Sequence, residues 1–509
     1  MKASDRVAIN SSIRYIQFVL NVLIGLFSMR LIIQSLGDID YGIYCLMGGV
    51  ISLLGFVSSS MAQTSVRYLS VSLGTSDNTN TRKAFQSCFW LHLILGFFLF
   101  SIFEICVPFL FYGGLNIPDD RLFAAQLVYQ CLIVSLFLSV AITPFGALIS
   151  SHERFWFSST LGIAFYMAKL VVAICVFYYE GDRLILFAIL MLFIRILNIC
   201  CTVGYSYYHF NNNISLRFSS KKEILSMTGF AGWTLLDVLG MVANRQGYAV
   251  LLNKFFGPVC NATFGIARQV DEHLYRMSAS VIDVMKPQIM KSHGSGNEER
   301  MFRLSMTAGK FGFSMMALAT IPLMVMLDDV LKLWLGTVPE DTAVFTMLIV
   351  IAEMGEQLTR GLVYANQALG NIKWFSIIVS TARIMCIPIS VTVLLLGYSA
   401  VVALEIYVIF EIIASLLRVF VLSRTSSFNG NCFVYSLLFQ IIPPLTIAII
   451  ICYVLYSNLP HSIIGMLINT IITCLSYMML IFFMGLTKEE NIVVRELFNK
   501  IMARAVSNL

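Results

Sequence analysis

Charge is what this chain has least of. Only 12% of its 509 residues are Asp, Glu, Lys or Arg, against 58% hydrophobic and a mean hydropathy of +0.82. A soluble domain carries about 25% charged residues, so a water-soluble globule of this length is excluded. Histidine is also sparse, with six scattered positions that form no ligand cluster. The twelve cysteines fall mostly inside apolar runs (Cys45, Cys106, Cys131, Cys175, Cys386) without paired metal spacings, which excludes a disulfide scaffold or a zinc site. Long loops are missing too, and with them room for a catalytic domain; phosphate loop, zinc motif and nucleophile triad are absent from the pattern. No cofactor, metal, nucleic-acid partner or enzymatic activity is expected. The polar stretch from Met1 leads straight into a full-length apolar segment, so no cleavable signal peptide is expected.

What is there is a succession of fourteen apolar segments, each close to the ~20 residues that cross a bilayer. They include residues 10–34, 41–66, 224–252, 258–285, 342–369, 433–456 and 462–485. If the N-terminus is cytoplasmic, nineteen lysines and arginines fall in inner loops and tails, and four (Arg121, Arg183, Lys254, Lys332) in outer ones. This follows the positive-inside rule and places both ends in the cytoplasm. The expected class is an all-α polytopic membrane protein.

An internal repeat organises the segments. Leu36-Gly37 precedes the second and Phe256-Gly257 the eighth; Gly74-Thr75-Ser76-Asp77 and Gly294-Ser295-Gly296-Asn297 share the same offset of 220 residues. Pro118-Asp119-Asp120 and Pro339-Glu340-Asp341 agree at 221. Six spans per repeat is an even number, which gives the halves one orientation, related by an axis along the membrane normal. The predicted organisation is a first six-helix bundle (1–222), a second (223–432), an additional helix pair (433–486) and a cytoplasmic amphipathic tail (487–509). The tail opens on Thr487-Lys488-Glu489-Glu490, a capping-box pattern. It continues with Val493, Val494, Leu497, Phe498 and Ile501 opposite Lys500 and Arg504.

The eighth segment is the most unusual. Arg268, Asp271, Glu272, Arg276 and Asp283 fall within an arc of about 140° at 100° per residue. Facing lipid, five such ions would cost on the order of 15 kcal/mol. That face must therefore look at other helices or at water. The tenth segment has a second stripe, Glu353, Glu356, Gln357, Arg360, Tyr364 and Gln367, within about 100°. The seventh contributes Asp237, Asn244 and Arg245, and the first two carry Arg30 and Arg67. Lys310, Arg383, Glu411 and Arg418 look isolated in sequence and read as helix-end anchors or structural ion pairs; Glu411 and Arg418 share a face but are too far apart to pair.

Several of these stretches resemble a known family. Leu36-Gly37-Asp38-Ile39-Asp40-Tyr41-Gly42-Ile43-Tyr44 with Arg67-Tyr68 is similar to the first-repeat signature of bacterial polysaccharide-export flippases. Phe256-Gly257-Pro258-Val259-Cys260-Asn261-Ala262, Gly265-Ile266-Ala267-Arg268-Gln269-Val270 and Lys286-Pro287-Gln288-Ile289-Met290-Lys291-Ser292 resemble the second. The family is the oligosaccharide-lipid (O-antigen, Wzx-type) flippases of the multidrug/oligosaccharidyl-lipid/polysaccharide exporter superfamily. The resemblance implies two six-helix bundles in a V, a central cavity and two extra C-terminal helices in the bacterial inner membrane. It implies alternating access carrying an undecaprenyl-diphosphate-linked oligosaccharide to the periplasmic leaflet for surface polysaccharide such as the O-antigen of lipopolysaccharide, with polymerase and glycosyltransferases as partners beside the membrane lipids.

On the residues' own chemistry, Arg30, Arg67, Arg245, Arg268, Arg276 and Arg360 are candidate diphosphate or sugar contacts, because guanidinium matches phosphate geometry. Asp237, Asp271, Glu272, Glu353 and Glu356 are candidate coupling or gating groups that hold those arginines in the empty state or take a proton or sodium ion. The competing reading of the same charges is a structural salt-bridge network. Rival functions are a cation-coupled multidrug antiporter of the same superfamily and a peptidoglycan lipid-precursor flippase. The first segment carries Arg14 and Arg30 but no carboxylate, which argues against the antiporter.

Overall fold

A computed structural model describes residues 3–52, 55–75, 77–111, 118–218, 221–335, 338–370, 372–487 and 490–492. Helices dominate the described residues, as the composition requires: a backbone in lipid satisfies its own polar groups only in a helix or a closed barrel. In chain order they are α1 Ala3–Ser52, α2 Gly55–Gly74, α3 Asn78–Phe109, α4 Leu122–Ser151, α5 Phe155–Phe177, α6 Arg183–Phe210, α7 Lys221–Gly294, α8 Glu298–Val325, α9 Leu327–Leu335, α10 Thr342–Leu369, α11 Lys373–Leu395, α12 Ala400–Thr425, α13 Gly430–Ser436, α14 Ile442–Asn458 and α15 Ile463–Leu480.

Twelve helical stretches among the described residues are long and apolar enough to cross a membrane. The expected count of fourteen also included residues 41–66 and 258–285. Both are largely helical, but residues 53–54 lie outside the described set, and 258–285 carries too many charges to qualify on hydropathy. Outward faces agree with a lipid environment. Ile450, Tyr453, Ile464, Leu467, Ile471 and Leu475 on α14 and α15 are all more than half exposed, a surface that water would not tolerate.

The duplication is written into the backbone. Gly37 breaks α1 at φ 73°, ψ 175°, and Gly257 breaks α7 at φ 81°, ψ −175°. That corner of conformational space belongs to glycine, because a Cβ would clash there. Past Gly257, α7 continues for about 55 Å, well beyond the ~30 Å hydrocarbon core. The proline turns repeat as well: Arg121 N–H donates to Pro118 O at 2.9 Å and Thr342 N–H to Pro339 O at 3.3 Å. Helix pairs follow suit, α3 with α4, α4 with α6 and α5 with α6 in the first half matching α8 with α10, α10 with α12 and α11 with α12 in the second.

The chain forms two compact units. One comprises Ser12–Val238 and Met290–Asn297. Its core gathers Met47, Phe103, Ala125, Tyr129, Leu184 and Phe187, with the Tyr129 hydroxyl donating to Phe103 O at 2.8 Å. The polar arc of α1 is turned toward α5 within it: Arg14 lies 4.9 Å from the Phe155 ring centroid, and Gln17 abuts Gly162. The other unit comprises Met1–Ser11, Leu239–Ile289 and Glu298–Leu509. Its core joins Tyr248, Phe264, Ala267, Phe345 and Tyr407.

At the inner end of this second unit a single ammonium ties down the additional helix pair. Lys310 on α8 donates to Gln440 Oε1 at 3.1 Å, to Gly485 O at 3.0 Å and to Glu490 Oε2. Gln440 and Gly485 sit in two π-helical turns, Leu437–Ile441 and Ile481–Gly485. The expected capping box is formed reciprocally, Thr487 N–H to Glu490 Oε2 at 2.8 Å and Glu490 N–H to Thr487 Oγ1 at 3.3 Å. The apolar stripe expected at Val493, Val494, Leu497, Phe498 and Ile501 lies outside the described residues.

Candidate functional site

The second unit buries a network of ions at the meeting of α7, α10, α11 and α12. Removing a charge from water costs several kcal/mol, so the arrangement persists only where partners return that energy. At the centre is Glu356, whose carboxylate accepts from three guanidinium groups: Arg383 at 2.9 Å, Arg360 at 3.2 Å and Arg418 at 3.5 Å. Arg383 also grips Glu411 through Nε (3.2 Å) and Nη2 (3.0 Å), and Asn244 Nδ2 reaches the other Glu411 oxygen at 3.3 Å. Arg418 donates onward to Thr359 Oγ1 at 3.1 Å. These groups are fully engaged and form a fixed inner layer.

A second layer is only half engaged. Glu353 lies 3.4 Å from Arg245 and 3.8 Å from Arg360, and accepts from Gln357 Nε2 at 2.5 Å. Gln357 is itself held by the Ser278 hydroxyl at 2.7 Å. Arg268 Nη1 reaches Asp271 Oδ2 at 3.3 Å, three residues along α7. Its guanidinium rests over Tyr407 (4.9 Å) and Phe264 (5.2 Å), a placement that cation–π attraction favours. Yet Arg268 Nε and Nη2 and Asp271 Oδ1 are buried with no hydrogen-bond partner, and so is Asn244 Oδ1. Buried polar atoms are almost always paired, so orphans on both members of one ion pair mark a place prepared for another group.

Tyrosines frame the network. Tyr275 takes the Arg360 guanidinium on its face at 4.6 Å. Tyr248 is fully buried; its hydroxyl donates to Ala403 O at 3.1 Å and meets Ser390 Oγ at 2.5 Å. Five arginines (245, 268, 360, 383, 418) meet four carboxylates (Asp271, Glu353, Glu356, Glu411), leaving the interior one positive charge in excess.

Of the residues expected from sequence, Arg245, Arg268, Asp271, Glu353, Glu356 and Arg360 converge here. Glu272 and Arg276 do not. They turn to the exposed edge of α7 and pair with each other at 2.5 Å, both side chains more than half accessible. The other three belong to the first unit. Arg30 is exposed on α1, Asp237 is half-buried with Oδ1 unpartnered, and Arg67 lies between the rings of Tyr68 (4.7 Å) and Phe230 (4.4 Å). Sequence reasoning set aside Arg383, Glu411 and Arg418 as anchors or structural pairs. They are pairs, but deep inside the network, and the shared face of Glu411 and Arg418 was the available signal. No group of three or more metal-ligating side chains converges among the described residues.

No protein-family model and no curated protein matches the chain. Solved structures do. A MATE crystal structure in the straight conformation aligns with a TM-score of 0.68 at 14% identity, covering 83% of this chain and 96% of that one. The fold is that of the MATE transporters. An outward-facing multidrug resistance MATE family transporter of the MOP superfamily aligns at a TM-score of 0.66 and 15% identity, with 83% and 96% covered. A MOP superfamily transporter from Pyrococcus furiosus, described by a binding pocket of reverse polarity, aligns at 0.64 and 15% with the same coverage. The MATE-like fold and the twelve apolar helices make this an integral membrane protein.

Proposed function

We propose that the protein is an alternating-access transporter whose cargo carries an anionic group, and that this cargo is an undecaprenyl-diphosphate-linked oligosaccharide moved to the outer leaflet. One observation carries the reading: Arg268, aromatic-stacked and buried, with two guanidinium positions unengaged. A phosphate oxygen is the acceptor such a guanidinium fits best, and Arg245 supplies a second donor through its loose 3.4 Å contact with Glu353. Asp271 then acts as a place-holder. It neutralises Arg268 while the site is empty and yields when the diphosphate arrives. No nucleotide motif is present in the sequence, so energy comes from an ion gradient, the membrane potential or downstream consumption of the product.

A second reading is a cation-coupled multidrug antiporter. The solved neighbours back it at least as well, since several are MATE structures and one is a multidrug resistance transporter. In that reading Asp271 and Glu353 take the coupling proton or sodium ion and the arginines set their affinity. The neighbour with reversed pocket polarity supports keeping cargo charge open across this fold.

Arg268→Ala, Arg268→Lys and Asp271→Asn variants in proteoliposomes separate the two. For the flippase, Arg268→Ala lowers translocation of a fluorescent undecaprenyl-diphosphate sugar at least about tenfold, a loss of ~1.4 kcal/mol or more, and Arg268→Lys recovers part of it. Full translocation by Arg268→Ala at normal membrane levels rules the phosphate role out. For the antiporter, the wild type extrudes ethidium under a proton or sodium gradient, and Asp271→Asn abolishes this.

A further inference from the structure

The first unit contains a backbone crossing that the ion network does not explain. The last turns of α2 and α7 touch at Gly74 and Gly294. A Cβ placed on Gly74 would collide with the carbonyl oxygen of Lys291 and lie 3.0 Å from the Gly294 Cα. A Cβ on Gly294 would collide with the carbonyl oxygen of Val71 and lie 3.1 Å from its Cα. The contact is reciprocal under the 220-residue offset, since Val71 and Lys291 are equivalent positions, as are Gly74 and Gly294. No side chain separates the two backbones.

Beside the crossing stands an ion pair. Lys291 Nζ, in the last turn of α7, lies 2.8 Å from Glu153 Oε1, whose side chain is only 6% accessible. Glu153 occupies an unusual place. Helix α4 ends in a Schellman arrangement, with Glu153 N–H donating to Ser150 O (2.9 Å) and Arg154 N–H to Ile149 O (3.1 Å). Its left-handed residue, usually glycine, is Glu153 at φ 61°. At the end of α7 the same two bonds recur, Gly296 N–H to His293 O and Asn297 N–H to Ser292 O, and there the left-handed residue is Gly296 at φ 76°. A carboxylate held where backbone sterics favour glycine is retained for its charge.

We infer that the Gly74–Gly294 crossing, latched by Lys291 and Glu153, is a lock that closes during the transport cycle on the side that loop charges assign to the cytoplasm. Glycine is needed so that the backbones meet without a gap, and the ion pair holds them together until α7 is pulled away. The inference rests on the transporter reading but on neither choice of cargo.

Two sets of variants of the full chain in nanodiscs test it. Gly74→Val and Gly294→Val are expected to raise amide hydrogen exchange in both 66–75 and 286–296, roughly tenfold over wild type. They are also expected to cut transport of whichever probe the wild type carries, undecaprenyl-diphosphate sugar or ethidium. Glu153→Lys and Lys291→Glu singly lower transport about fivefold, and the charge-swapped double variant recovers to within about twofold. Valine variants with unchanged exchange in both segments overturn the lock, and a double swap no better than the singles overturns the latch. Should the wild type carry neither probe, the transporter reading fails, while the exchange data still judge the crossing.

Discussion

Glu356 accepts from three arginines, whereas Asp271 accepts from one and leaves an oxygen unused. The two acids therefore differ in kind although both are buried. Deleting the charge of Glu356 strands Arg360, Arg383 and Arg418 in a dry interior; removing one member of such a network costs about 3–5 kcal/mol. Glu356→Gln is expected to unfold at markedly lower temperature or SDS concentration, whereas Asp271→Asn, giving up one 3.3 Å bond, stays close to wild type while losing function. Equal destabilisation by the two substitutions contradicts this division of labour. Lys310 belongs with Glu356: its three oxygen partners leave it no freedom to act on cargo.

At the scale of elements, the paired breaks at Gly37 and Gly257 set where each repeat changes direction. A non-glycine residue at φ 81°, ψ −175° costs about 1–3 kcal/mol. Gly257→Ala is thus expected to destabilise by that amount in thermal unfolding, while Gly265→Ala, in regular helix with open space around the added methyl, is neutral or slightly stabilising. These glycines were legible in the sequence because the offset of 220 residues repeats. So were the stripes on α7 and α10, since periodicity places residues on faces. Periodicity does not say which faces meet, and Arg383 on α11 with Glu411 and Arg418 on α12 joined the network only through contacts between distant segments. The same limit explains Glu272 and Arg276. An arc of about 140° is wide enough to hold both a sheltered centre and an open edge.

For the whole molecule, the hydrophobic composition determined the class, and the fold adds helix order and packing. Orientation still rests on the loop cations. Alkaline phosphatase inserted after Gly181 is expected to be active, and after Asn297 or fused beyond Leu509 inactive, with a green fluorescent protein at that end bright. Activity at Asn297 would reverse every sidedness statement made for the lock. Cargo was not legible at this scale, because MATE-like neighbours at 14–15% identity share the frame and not the pocket.

The reciprocity of the α2–α7 crossing has a consequence for genetics. Val71 with Gly294 and Lys291 with Gly74 are one pair of positions used twice, the self-complementary contact that two copies of a six-span subunit would make about a two-fold axis. A substitution at either glycine is therefore half of a symmetric lesion. Once the first has parted the backbones, the second is nearly silent, and the two will behave as a single genetic locus 220 residues apart.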